Sequence, residues 1–142
     1  MRVLGVDVAV TEGTSQLCAC VVMRGSLWVD GAFVLIWRMN EVSSLAAEIK
    51  ASRFYEELTA ILLSSCLPLH GKLNYLSKLL RKPVLMVSAD HEHKLSEYSG
   101  LSVEEAEALL RTCRGPFGVE PIRLASSLAP LVRSLYEAWR RS

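Results

Sequence analysis

No apolar run in this 142-residue chain reaches the ~18 residues needed to span a membrane. Yet hydrophobic side chains make up 51% of it, so the surplus must go into a core or partner contacts. A secretory signal pattern is missing too: Arg2 leads straight into a strand pattern that Asp7 and Glu12 interrupt. The four cysteines, Cys18, Cys20, Cys66 and Cys113, show no C-x-x-C spacing. We read them as small buried thiols in a reducing, cytoplasmic setting rather than as disulfide partners or zinc ligands. There is no G-x-S-x-G, no phosphate-binding P-loop and no dinucleotide fingerprint. Repeats, low-complexity segments and linkers are missing as well, so residues 1–142 are expected to form one domain.

Acidic residues are missing from one long stretch, Leu58 to Ala89. Net charge is only +1, but residues 1–60 carry five basic and seven acidic side chains, and the remainder carries 11 basic and eight acidic. This split permits a basic face. Lys72, Lys78, Arg81 and Lys82 lie in the acid-free stretch and form one candidate nucleic-acid contact. Arg123, Arg133, Arg140 and Arg141 form a second, with Tyr136 and Trp139 placed to stack on bases. The competing reading is a solvated face with its aromatics in the core.

The pattern begins with a strand at Val3 to Val10, apolar on both alternating sets, so both of its faces should be covered. Asp7 lies in its middle, where a carboxylate is costly unless paired, hydrogen-bonded or bound to a cation. Leu17 to Arg24 and Leu27 to Trp37 read as the next two strands, joined by links short enough to force an antiparallel meander. Asp30-Gly31 inside the third strand suggests a bulge. A helical stripe then runs through SSLAAEIKASRFYEEL from Ser43. Thr59 to Leu63 reads as a fourth strand. Leu69, Leu73, Leu76 and Leu80 mark a second helix, which Pro83 ends, and PVLMVSA reads as a fifth strand. This alternation makes parallel pairs with right-handed crossovers.

The segment ADHEHKLSEYSG reads as a polar loop, although Asp90, His91, Glu92 and His93 make it the densest ligand cluster in the chain. Ser102-Val103-Glu104-Glu105 fits a capping box, which starts a helix at Val103. The last amphipathic stretch carries Leu124, Leu128, Leu131 and Leu135 on one face, with Pro130 expected to kink it or to start a second helix.

VLGVD at Val3, VVMRGSLWVDG at Val21 to Gly31, SRFYEELTAILL at Ser52 to Leu63, KPVLMV at Lys82 to Val87 and EPIRLA at Glu120 to Ala125 form a set of blocks. Together they resemble an uncharacterised, largely archaeal family related to endonuclease V. The resemblance implies an α/β fold, ribonuclease H-like, with a mixed five-stranded sheet of three antiparallel strands and two helix–strand units. It also implies a carboxylate on the first strand, Asp7, as ligand for Mg2+ or Mn2+ in phosphodiester cleavage. Glu41, just after the third strand, is a second catalytic candidate. Three positions depart from the family pattern. Its Asp-Gly after the fourth strand is Ser64-Ser65, its C-terminal R-x-A-H ends at Ser126, and its Asp-Asp-Gly is Asp7-Val8-Ala9.

Two-metal cleavage needs several carboxylates converging on hard cations, and Ser64 is a neutral, weaker donor. The expected function is therefore nucleic-acid binding, to DNA or RNA, with a degenerate metal site. An active metal-dependent endonuclease and a structural subunit of a larger complex are the alternatives. Asp7 could otherwise simply cap the Thr11–Ser15 turn. A homo-oligomer or another protein partner is also expected, because the third strand ends the meander with an apolar edge from Ala32 to Ile36 and no proline or charge. No membrane partner is expected.

Overall fold

The computed structural model describes all residues, Met1–Ser142. Three strands, β1 (Arg2–Glu12), β2 (Ser15–Arg24) and β3 (Trp28–Arg38), form the antiparallel meander that the short links require. Next come α1 (Val42–Ala51), a 3-10 turn at Tyr55–Glu57, β4 (Leu58–Ser64), α2 (Leu73–Leu80) and β5 (Val84–Val87). Then follow β6 (Leu95–Ser99), α3 (Val103–Cys113), a two-rung ribbon of β7 (Arg114–Gly115) and β8 (Gly118–Val119), and α4 (Glu120–Arg141). The sheet order is β3-β2-β1-β4-β5-β6, with β1, β4 and β5 mutually parallel.

The sheet therefore has six strands, one more than the five expected. β6 falls in the polar segment read as loop, and it pairs antiparallel with β5 from Val84–Ser99 to Val87–Leu95. It was hidden because an edge strand of Leu, Ser, Glu, Tyr and Ser lacks an apolar period. Glu97 and the serines blunt that edge against further pairing.

The apolar residues on both faces of β1 are explained by two cores. Leu4 and Val6 join Ile61, Leu63 and Met86 under α1 and α2. Val3, with Leu62 and Leu85, packs under α3 and the first turns of α4. The first helix is shorter than its sequence pattern. It stops at Ala51, and the chain turns so that Phe54 stacks on Phe33 with ring centroids 6.2 Å apart. Gly31 makes room for that ring, since a Cβ there would lie 2.4 Å from Phe54 Cζ. The bulge expected at Asp30-Gly31 is present as a register shift opposite Val22 and Met23.

Ser102 caps α3 in the expected box, accepting from the Glu105 amide while the Glu105 carboxylate accepts from the Ser102 amide. Pro130 does not start a second helix; it lies inside a single 22-residue helix. Trp37, near the end of β3, is core, and its Nε1 donates to Gln16 Oε1 at 3.2 Å. Three cysteines are buried, and burial pushes Cys18 up to about 12 and Cys113 up to about 11. Cys66 departs from the expectation and is exposed. No helix is long and apolar enough to cross a membrane.

The seat of α4 depends on Gly5. A Cβ at that position would stand 2.3 Å from the Pro121 carbonyl oxygen, well inside van der Waals contact and against backbone that cannot swing away. Gly5→Ala is therefore expected to lower stability by about 1–3 kcal/mol, the usual range for overpacking, read as a lower urea midpoint. A midpoint unchanged within error would mean that α4 does not seat on β1 as described.

Candidate functional site

Asp7 is on the face of β1 that α4 covers, half-buried between the two valines that flank it. Its Oδ1 accepts from the Val8 amide at 2.8 Å and its Oδ2 accepts from the Ser126 hydroxyl at 2.6 Å. The carboxylate thus faces α4, not the Thr11–Ser15 turn. Ser126 reaches it because α4 begins over Gly5 and continues along β1 and β2, laying Ala125 on Val21 and Met23 and Ala129 on Ala9 and Ala19. Across the parallel ladder Val6 pairs with Leu63. Ser64, the last residue of β4, therefore comes beside Asp7 on the same face, one strand spacing of about 4.8 Å away. Its buried hydroxyl accepts from the Cys66 amide at 3.2 Å.

Asp7 is thus flanked by two neutral hydroxyls. These are the positions where the sequence resemblance leads one to expect an aspartate and a histidine. Glu41 does not supply the missing charge. It precedes α1, on the opposite face of the sheet, and is paired with Arg38 at 2.7 Å. No three His, Cys, Asp or Glu side chains are grouped to hold a metal ion, and no buried side-chain nitrogen or oxygen lacks a hydrogen-bond partner. A hard divalent cation needs several charged oxygens at once. The residues around Asp7 do not fit one.

The Asp90–His93 cluster is neither a metal site nor a simple solvated loop. Asp90 closes a turn, accepting from the Ser88 hydroxyl and the Glu92 amide. Glu92 pairs with Lys94. His93 is buried and takes a left-handed backbone conformation at φ 50°. Its Nδ1 accepts from the Val119 amide at 2.9 Å, tying the β5–β6 turn to the start of α4. Arg114 donates to the carbonyls of Glu92 and His93, locking the same turn from the other side. No sequence signal marks His93 or Arg114 for this role, because their partners are backbone atoms 21 to 26 positions away.

The two basic groups have different fates. In the C-terminal group, Arg123 pairs with Glu120 and stands 5.9 Å over the Phe117 ring. Arg133 Nε donates to the Ala9 carbonyl at 2.9 Å, and Arg140 pairs with Glu12 at 3.3 Å. Tyr136 donates to the Glu12 carboxylate, while Trp139 is 73% exposed. Only Arg141 is left without a carboxylate partner or a backbone carbonyl. In the other group, Lys82 is occupied: its Nζ donates to the Leu58 carbonyl at 2.7 Å and lies 4.7 Å over the Tyr55 ring. Lys72, Lys78 and Arg81 make no ion pair. Lys78 and Arg81, with Asn74, Ser77 and Gly100, line a polar cleft where α2 ends and the chain enters β5 at Pro83. That cleft is at the starting end of the parallel strands, whereas Asp7 and Ser64 are toward their finishing end.

No family model matches the sequence, and no curated protein matches it. Solved structures do match in fold. A protein of unknown function from Archaeoglobus fulgidus superposes with a TM-score of 0.74 at 16% identity, covering 92% of this chain and 97% of its own. Human ENDOV gives 0.70 at 16% identity, over 96% of this chain and 85% of its own. Endonuclease V of Ciona intestinalis, in complex with a 24mer DNA containing an inosine followed by a ribo-adenosine, gives 0.66 at 14% identity over 96% and 87%. The chain is therefore an α/β protein of ribonuclease H-like fold. Within that class its architecture is the one seen in endonuclease V.

His93 generates a pH prediction. Burial, with Arg114 close by, holds its imidazole below the usual histidine range, against the opposing pull of Asp90, Asp7 and Glu120. The folded protein therefore accepts this proton at lower pH than the unfolded chain does. The site's contribution is complete above the unfolded value of ~6.5 and is lost as pH falls from there toward the folded value. His93→Asn keeps an acceptor for Val119 and tolerates the left-handed backbone. Urea unfolding between pH 7.5 and pH 5 should show a loss of stability in the wild type that is smaller in this variant. Parallel pH profiles would remove His93 as the cause.

Proposed function

We propose that this protein is an endonuclease V-like nucleic-acid-binding protein that holds its ligand without cutting it. The observation that supports this reading is the setting of Asp7. The one carboxylate in the expected place is hydrogen-bonded to Ser126 and stands beside Ser64, where cleavage would need charged ligands. The fold is shared with proteins that act on nucleic acid, one of them seen bound to DNA. The contact surface in this reading is the α2 group, Lys72, Lys78 and Arg81, whose charges face solvent uncompensated. Arg133 and Arg140 of the C-terminal group are engaged within the fold, and only Arg141 remains to add a phosphate contact.

Cleavage is the first test. Single and double strands, with and without inosine, incubated in Mg2+ or Mn2+, should stay intact or be cut only very slowly. Robust cutting that Asp7→Ala abolishes would establish a working metal-dependent endonuclease instead.

Binding is the second test. Affinity should fall steeply with salt, because each phosphate contact by Lys or Arg releases condensed counterions. The combined variant Lys72→Gln, Lys78→Gln, Arg81→Asn should weaken binding. It should also flatten the log–log salt slope by about 2–3, at roughly 0.7–0.9 for each phosphate no longer neutralised. An unchanged slope would return these three residues to an ordinary solvated face.

A further inference from the structure

The two edges of the sheet are treated differently. β6 is five residues long, polar and carries Glu97. β3 is 11 residues long, and its backbone pairs with β2 on one side only. The helix above that end of the sheet packs on β1 and β2 and stops short of β3, so Val34 and Ile36 are 48% and 55% exposed on the face that α4 leaves bare. Beside them the second half of α4 turns Leu131, Leu135 and Trp139 outward. Val34 and Leu135 line one wholly apolar groove with Leu17, Val132, Tyr136 and Trp139.

We propose that this corner is the interface of a two-fold symmetric dimer, in which the β3 strands of two copies pair antiparallel with Val34 on the axis. A second copy is the occupant that the geometry fits. An antiparallel edge is its own complement about a two-fold axis normal to the sheet, so residue i meets j and j meets i. With Val34 on the axis, Ile36 of each copy meets Ala32 of the other. Both α4 helices stay on the same face, and the Leu135 side chains, which share a groove with Val34, approach each other across the axis. Trp139, which stands by Ile36, then overhangs the other copy's Ala32, a small exposed residue with room beneath a large ring.

The area is sufficient. Val29, on the same face of β3, joins Val34, Ile36 and the three helix residues as exposed large apolar side chains. At on the order of 100 Å² each, these six offer about 600 Å² per copy, or about 1,200 Å² in all, the lower end of specific interfaces. The continuous twelve-stranded sheet so formed would use the backbone groups that β3 leaves unpaired.

Sedimentation velocity over a wide concentration range tests the state, and the full chain should migrate at twice its 15.7 kDa mass. Leu135→Glu and Trp139→Ser, both at exposed positions, should raise the dissociation constant by about 100-fold, as removal of a buried anchor does, with unchanged circular dichroism. The register is tested separately in a Cys66→Ser background. Val34→Cys should cross-link to a covalent dimer under mild oxidation, because residues on the axis face each other at disulfide range. Val29→Cys, away from the axis, should not. A wild type that stays monomeric at every concentration overturns the proposal and leaves the corner to a different protein. A dimer that survives both helix variants overturns it too, as does cross-linking at Val29 but not at Val34.

Discussion

The rest of the structure depends on how closely α4 approaches β1. Gly5 lets the Pro121 backbone come against the strand, and a stripe of small side chains continues the contact: Ala125 over Val21 and Met23, Ala129 over Ala9 and Ala19. With a larger residue at any of these positions the helix would stand off the sheet. The short hydroxyl of Ser126 could not then reach Asp7. The same approach lets Arg133 find the Ala9 carbonyl, where β1 slips in register against β2 and leaves a backbone acceptor for a side chain. One steric condition thus fixes the site, the helix direction and the part of the sheet that remains uncovered.

The closeness also explains how the site keeps its shape with neutral groups. In a site built around a cation, the ion draws carboxylates together and offsets their repulsion. Around Asp7 that work is done by hydrogen bonds from Val8 and Ser126, and a buried serine fills the next position on β4. Each polar group there is satisfied within the protein. Both oxygens of Asp7 already accept a hydrogen bond, which leaves the carboxylate fewer free lone pairs for a cation.

Much of the fold was legible because its signals are local. The tight links fixed the meander, the capping box fixed the start of α3 at Val103, and the alternation of apolar periods gave the crossover units. β6 was not legible, since Leu95, Ser96, Glu97, Tyr98 and Ser99 carry no apolar period and the pairing with β5 alone makes them a strand. α1 was overestimated because Phe54 leaves the helical path to stack on Phe33, a tertiary contact that no spacing records. In the site, Asp7 stood out as a charge in an apolar strand. A cluster of ligand-type residues concealed one buried backbone clamp at His93, and the pairing of Glu41 with Arg38 is a contact that its place after the third strand does not announce.

Pro130 has a consequence for how the molecule loosens. It sits inside α4 and has no amide proton, so the Ser126 carbonyl four residues earlier receives no helical hydrogen bond from it. The front of the helix is fastened at Pro121 and Ser126, and the rear at Arg133 and through Tyr136 and Arg140 to Glu12. A ladder interrupted between two sets of fastenings can open in sections. In a single copy, the amides after Pro130, beneath exposed Leu135 and Trp139, are the part of the helix placed to open separately from those before it, which lie over the central strands. Covering that outer half with a second copy would therefore hold down the section that Pro130 uncouples, while the residues that hold Asp7 stay in place either way.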